Sequence, residues 1–430
     1  MGEGNSTEER GCRQSAIHSR GERGQGSQFP ALYTMETMSL FSGKGSQEKC
    51  GVVIDVGSGS VGMAVVLPSS QDDSYEILWS HREYMLIHDD VARAQKQIAT
   101  TIVNALLELG SGLKSARERG TQVGAVQIAL SAPWAITVSK HITYEDEHPF
   151  ATTKEFMRSL VETAKKQTLE TAYQGTLLKD LGLSLLEEAT VDVELNGYHV
   201  RSMKPQEVRT VSLTHIRSLA DEKLIDLIND SLDKVLPHAE RQYHSFMFLF
   251  SEVLRSLHPD TSEACLVDIT NEATEVGIVN DDVLRSATHA PTGLFSLARR
   301  IAAECDIPNE EAYSFMKNGN NYALAPHLEK KKEIVERIFG EYEDEIAKTL
   351  RDSRDALSIP NTVFLHTSAL TEECFVERVK NAMKKATNTA HAVHLVTSEL
   401  LGEKRMDDSA LALSVHFFLH RKEEDGDSDL

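Results

Sequence analysis

VVIDVGSGSVGMAVV, residues 52–66, reads as strand, aspartate, glycine-rich turn, strand, and CLVDITNEATEVGIV, residues 265–279, repeats the design with a polar turn. The first strand of each pair ends in an acidic residue, Asp55 and Asp268. A tight turn without bulky side chains lets backbone N–H groups approach phosphate oxygens. An aspartate at a strand end can hold Mg²⁺ through the water shell that this ion keeps. A single Gly/Ser turn between apolar strands is ordinarily just a hairpin. Two of them in this order, facing each other across a gap, would clamp a polyphosphate and its metal from both sides.

Working outward, strands and helices alternate. A helix is expected from about Asp90, with Val91, Ala94, Ile98, Ile102, Ala105 and Leu109 on one face and Gly110 as its C-cap, followed by a polar loop from Lys114 to Thr121. Val126–Leu130 and Ala135–Tyr144 read as strands. Thr152 and Glu155 make a capping-box pattern for the next helix. Val191, Val193 and Leu195 alternate into an Asn196-Gly197 hairpin turn. An apolar helix is expected at Ser245–Leu257, then helices near 294–305, 309–318 and 329–353, strands at Thr362–His366 and Val393–Val396, and a helix at Ala410–Leu419. Such alternation implies an α/β protein with mostly buried sheets.

The 430 residues exceed one ordinary core, so two lobes are expected. A net charge of -21 argues against a nucleic-acid surface, which needs clustered Lys and Arg. Five cysteines, an odd number with no CxxC pair, point away from a disulfide framework or metal site and toward a reducing cytoplasm. No apolar run reaches the ~18 residues that span a bilayer, so direct membrane insertion is not expected. Residues 1–48 are rich in Gly, Ser, Arg and Glu without a sustained period, and read as a disordered extension with Met35 and Met38 as alternative starts. KEEDGDSDL, residues 422–430, reads as a solvated acidic tail. None of the 17 histidines sits in an HExxH pattern, and His141 and His148 flank a solvated acidic stretch. Trp134 reads as a packing or partner-contact residue.

With these segments in order, the sequence resembles the actin-like superfamily, and within it FtsA and PilM. VVIDVGSGSVGMAVV is similar to that family's first phosphate loop and VDITNEATEVGIV to its second. VGAVQIALSAPWAITVSKHITYEDEHPFATTKEFMRSLVETAKK is similar to the small inserted subdomain of FtsA, NTVFLHTSALTEECFVERV to the adenosine strand-loop-helix, and DDSALALSVHFFLHRK to the closing helix. The resemblance implies a two-lobed actin-like fold, a duplicated ribonuclease H-like α/β architecture with an inserted α/β subdomain. It divides the chain into the extension (1–48), the first lobe (49–122 and 207–263) around the insertion (123–206), the second lobe (264–402), the closing helix (403–421) and the acidic tail (422–430). It implies ATP and Mg as cofactors. Asp55, Gly57, Ser58, Gly59 and Ser60 carry over from the first loop, Asp268, Thr270 and Thr274 from the second, and Gly293 from the turn beyond. Asp55 and Asp268 are the expected Mg positions, through water. No residue carries over as the one that orients an attacking water.

Departures from the pattern accompany it. Thr270-Asn271-Glu272-Ala273 stands where the second loop is ordinarily glycine-rich, and the Glu272 carboxylate would repel a phosphate unless a metal or an arginine intervenes. His366-Thr367-Ser368 stands where the adenosine loop carries paired glycines. The resemblance therefore implies a cytoplasmic scaffold that docks the cytoplasmic tail of an inner-membrane protein, in type IV pilus assembly or cell division, with self-association and ATP regulation open. The acidic tail in place of FtsA's amphipathic helix favours the PilM side. Its alternative is an inactive pseudo-ATPase scaffold. A sugar or acetate kinase would need a catalytic carboxylate and substrate groups where the insertion stands.

Overall fold

The computed structural model describes residues 49–69, 74–87, 91–174, 182–200, 204–352, 358–368, 373–403 and 406–420. Strands β1 (Lys49–Val56), β2 (Ser60–Pro68) and β3 (Tyr75–Tyr84) form an antiparallel meander, helix α1 (Val91–Glu118) crosses over, and β4 (Gln122–Leu130) returns parallel to β1. Next come β5 (Ala135–Ala151), α2 (Lys154–Gln174), β6 (Leu183–Leu195), β7 (Tyr198–His199) and β8 (Glu207–Asp221), which build a separate sheet of order β5-β8-β6-β7. Helix α3 (Glu222–Val235) and β9 (Glu240–Ser245) return to the first sheet, whose order is β3-β2-β1-β4-β9.

After α4 (Phe246–Leu257) the second lobe repeats the plan. Strands β10 (Ala264–Ile269), β11 (Thr274–Asn280) and β12 (Val283–Ala290) form the meander. Helices α5 (Leu294–Cys305), α6 (Asn309–Lys317), α7 (Pro326–Glu329) and α8 (Lys332–Asp352) cross over to β13 (Thr362–Thr367), followed by α9 (Glu373–Thr387), β14 (Ala392–Leu395) and the closing α10 (Ser409–His420). The sheet order β12-β11-β10-β13-β14 matches the first sheet position for position.

Alternation along the strands decides how the layers stack. Cys50, Val52, Ile54 and Val56 point into the core under α1 and α3, whereas Val53 points into a core shared with α4 and α10. Likewise Cys265, Val267 and Ile269 face α5, α8 and α9, and Leu266 faces the α4–α10 layer. The two sheets thus sit on either side of α4 and α10, whose Phe246, Phe250, Phe417 and Phe418 are buried between them. Near-continuous apolar strands are what burial on both faces demands. This is the two-lobed α/β architecture expected from the sequence. No helix among the described residues is long and apolar enough to cross a membrane.

Several local expectations are corrected. Asp90 lies outside the described residues, and α1 passes through Gly110 to Glu118, so the segment after Lys114 is helix for most of its length. Leu113 and Ala116 continue the buried stripe, and a Cβ at Gly110 would meet no atom of the described residues within 4 Å. Thr153, not Thr152, caps α2: its Oγ1 accepts the Phe156 N–H at 3.2 Å, while Thr152 bonds the Gln206 backbone. Strand β4, grouped with the insertion in the sequence reading, is hydrogen-bonded between β1 and β9, and β8, grouped with the first lobe, pairs with β5 and β6. Sheet membership depends on partners far along the chain, which a strand's own residues do not encode. At Asn196-Gly197 the expected turn is present, with both residues at positive φ.

Candidate functional site

The two hairpin turns meet at the lobe boundary. Ser58 Oγ donates to Thr270 Oγ1 at 3.0 Å and accepts the Glu272 N–H at 2.9 Å. A Cβ on Gly59 would lie 2.1 Å from Asn271 Cγ, so glycine is what allows the turns to touch. Asn271 Nδ2 in turn donates to Tyr313 Oη of α6 at 3.2 Å. The expected gap is therefore absent: the turns are hydrogen-bonded to each other rather than separated by a ligand's width. The first amide of each turn is also bonded within its own turn. Gly57 N–H bonds Ser60 O at 3.0 Å and Thr270 N–H bonds Ala273 O at 2.9 Å.

Both aspartates are buried at their strand ends, and each has an internal partner. Arg82 Nη2 donates to Asp55 Oδ2 at 2.7 Å, and His366 Nδ1 lies 2.7 Å from Asp268 Oδ1. Arg82 also holds Asp408, through Nε at 2.5 Å and Nη2 at 2.9 Å, and Ser60 Oγ through Nη1 at 2.8 Å. Burial pushes the Asp55 carboxyl above its ordinary value, against the pull of Arg82. At Asp408 burial also acts upward, but the Arg82 guanidinium outweighs it and holds the carboxyl below the usual range. Arg82 and His366 both line a cavity of about 430 Å³, walled by Ser60, Thr367, Ser368 and the start of α10.

The remaining expected residues divide. Glu272 does meet an arginine: Arg299 grips its two oxygens at 2.8 and 2.7 Å. Thr274 turns away from the boundary into the second lobe, bonding Thr292 O and lying 2.7 Å from Tyr342 Oη. Gly293 begins α5 hard against the second turn, where a Cβ would sit 2.5 Å from Thr270 O. Trp134 braces the first turn by donating its indole N–H to Gly57 O at 3.0 Å. Sequence reasoning missed Arg82 and Asp408, because nothing local marks a residue on the edge strand, or one before the last helix, as belonging to Asp55.

Glu275, on β11 beside Asp268, is 2% exposed, and burial, reinforced by the Asp268 charge, holds its carboxyl well above the ordinary value. A carboxyl raised by folding contributes stability that is present below its unfolded pKa and lost as pH climbs through the folded one. Glu275→Gln cannot ionise. Its melting temperature is expected to gain on the parent's progressively from about pH 5 to about pH 8, a comparison that scanning calorimetry makes directly.

ATP with Mg fails a test of fit against this arrangement. Asp55 Oδ1 and Asp268 Oδ2 are buried with no hydrogen-bond partner among the described residues, which is the donor chemistry a hydrated cation uses. The polyphosphate is the obstacle, since Ser58, Thr270 and Asn271 fill the space between the turns and a guanidinium already sits at Asp55.

No family model matches the chain, and no curated protein matches it. Solved structures do. The PilM-PilN type IV pilus biogenesis complex superposes with a TM-score of 0.55 at 14% identity, over 86% of this chain and 99% of that one. The fold is the actin-like one, of PilM type. Ethanolamine utilization protein EutJ from Carboxydothermus hydrogenoformans matches at a TM-score of 0.42 and 10% identity, over 86% and 91% of the two chains. A Bacteroides thetaiotaomicron protein with an actin-like ATPase fold matches at 0.39 and 10%, over 85% and 95%. In this PilM-type fold the two turns meet at the lobe boundary, and both are engaged by the protein itself.

A second concavity lies between the inserted sheet and the first sheet. It has a volume of about 360 Å³ and runs between the start of β6 and the edge strand β9. Leu185, Leu186, Ile225 and Phe248 supply apolar walls, and Glu187 and Arg241 supply polar ends. Glu187 is fixed at the groove's base, accepting the Ser245 N–H at 3.1 Å and lying 2.5 Å from His244 Nδ1.

Proposed function

We propose that the chain is a PilM-type pseudo-ATPase scaffold that holds an extended segment of a partner in the β6–β9 groove, with its nucleotide cleft closed. One observation carries this reading: β9 ends the strand order of the first sheet, and a mixed polar and apolar groove, with Leu185, Leu186, Ile225 and Phe248 among its walls, runs between it and β6. The last strand of a sheet can take an added strand, and alternate pockets beside it select side chains. The partner we have in mind is the cytoplasmic tail of an inner-membrane protein in pilus assembly. The PilM-PilN complex is a precedent for partner binding by this fold. A division role would use the same groove. ATP regulation has no part in this reading, because the turns that would receive phosphate are bonded to each other.

Peptides copying the terminal segments of membrane proteins encoded beside this gene supply the test. One of them is expected to bind with micromolar affinity in a fluorescence anisotropy titration. Leu185, 46% exposed on the groove wall, is the residue to change. Leu185→Glu is expected to weaken binding about tenfold or more, the scale of one lost apolar anchor. If every such peptide binds the parent and Leu185→Glu equally, or none binds at all, the groove is not the docking site.

A further inference from the structure

Strand β6 of the insertion has different duties at its two ends. Residues 184–188 wall the groove, while Asp192 and Glu194 reach the second lobe. Between these ends the β6–β8 ladder shifts register twice, from Leu185 to Glu187 and from Thr190 to Asp192, so Leu186 and Val191 have no partner across it. A bulge bends its strand and re-aims the extra side chain. Here Leu186 packs against the core under α1 and α3, and Val191 against the α4–α10 layer. Neither belongs to the insertion's own core, which holds Val193 and Leu195. The insertion therefore seats on the body of the molecule through β6.

The far end of β6 is gripped from β12 of the second lobe. Arg285 Nη1 lies 2.7 Å from Asp192 Oδ2 and donates to Thr214 Oγ1 of β8 at 2.9 Å, and Nη2 lies 3.5 Å from Glu194 Oε1. The Arg285 carbonyl oxygen accepts a bond from Ser139 Oγ of β5 at 2.6 Å. One residue of the second lobe is thus joined to three strands of the inserted sheet. The opposite wall of the groove, β9 with Ile225 of α3 and Phe248 of α4, belongs to the rest of the molecule. We propose that Arg285 is a positioning residue for the groove: by fixing β6 it sets the separation of β6 from β9, so that the second lobe regulates what the groove holds. This rests on the docking function proposed above for the occupant, but not for the fixing of β6. A guanidinium suits the task, because its fork spans both carboxylates and the hydroxyl, whereas an ammonium is a point charge. The Ser245 N–H, bonded to Glu187 Oε1 at 3.1 Å across the groove's base, is a built-in reporter of where β6 lies.

The full chain carrying Arg285→Met tests the proposal by anisotropy titration with the groove-binding peptide and by hydrogen exchange at Ser245. Peptide affinity is expected to fall about tenfold or more, although Arg285 does not line the groove. The Ser245 amide is expected to exchange about tenfold faster. Arg285→Lys is expected to fall between parent and Arg285→Met. The control is Val379→Ala, a core cavity under α9, which packs on β14 at the sheet edge opposite β12. It loses stability but is expected to keep the parent's peptide affinity and to exchange more slowly at Ser245 than Arg285→Met does. Parent-like affinity and exchange in Arg285→Met would overturn the proposal. So would equal losses in Val379→Ala, which would make the effect one of general stability. If no peptide binds the parent, the docking function fails by itself and Ser245 exchange alone decides. Faster exchange in Arg285→Met than in Val379→Ala then supports the fixing of β6, and equal exchange refutes it. Should Arg285→Met fail to fold, the triple variant Arg285→Met, Asp192→Asn, Glu194→Gln removes the three charges together and is read in the same way.

Discussion

Arg285→Met is expected to lower the unfolding free energy by about 3–5 kcal/mol, the range for stripping one partner from a buried ion pair. Arg285 stands on β12 of the second lobe, 7% exposed, and reaches the inserted sheet: Nη1 lies 2.7 Å from Asp192 Oδ2 and donates to Thr214 Oγ1 at 2.9 Å. Glu194 and Asp281 lie at 3.5 and 3.7 Å from Nη2. Without the guanidinium, Asp192, itself 9% exposed, remains in a low-dielectric site beside another carboxylate. His199 touches the same Asp192 at 2.8 Å, but from the inserted sheet itself, so it cannot replace the clasp to β12. Urea denaturation at neutral pH measures the loss. A cost below about 1 kcal/mol would mean that water reaches the cluster and that the clasp is a surface contact.

Gly51→Val is the second large effect, arising in packing and not in charge. A Cβ at Gly51 would stand 2.0 Å from Phe418 Cζ and 2.2 Å from Cε1. Phe418 is 1% exposed in the shared α4–α10 layer and has no room to retreat, since cores are packed as densely as crystals. The cost is expected at about 3 kcal/mol or more, the upper end for overpacking, because β1 carries the first turn and cannot shift alone. A double variant with Phe418→Ala is expected to recover part of that loss, a non-additivity that equilibrium denaturation of the four proteins of the cycle measures.

What the sequence discloses and what it hides follow one physical division. The twin hairpins are legible because each is local: an apolar run, an aspartate, a turn without bulk and a second run lie within fifteen residues of each other. The helices of the second lobe are legible for the same reason, and the stripe from Leu294 to Cys305 coincides with α5. The partners of the aspartates are not legible. Arg82 is 27 residues from Asp55, and His366 is 98 from Asp268, and only the completed sheets bring them together. Electrostatics asks for a metal or an arginine at Glu272 if a phosphate is to approach, but nothing in the sequence nominates Arg299 among its neighbours on α5. Closure of the turns on each other was hidden most deeply, because Ser58 and Gly59 are the residues an open phosphate loop would also have. The composition of the first turn agrees with both states. The choice between them is made by Asn271 and Thr270, more than two hundred positions downstream.

The indole bond from Trp134 to Gly57 gives the molecule an intrinsic optical gauge. Of its two tryptophans, Trp79 sits on the edge strand β3, while Trp134 is sealed at the first turn with its N–H committed to the backbone. Emission from Trp134 reports the polarity of that one spot. A Trp79→Phe background would let a cuvette and an unlabelled sample follow, in real time, whether the two halves of this protein ever part.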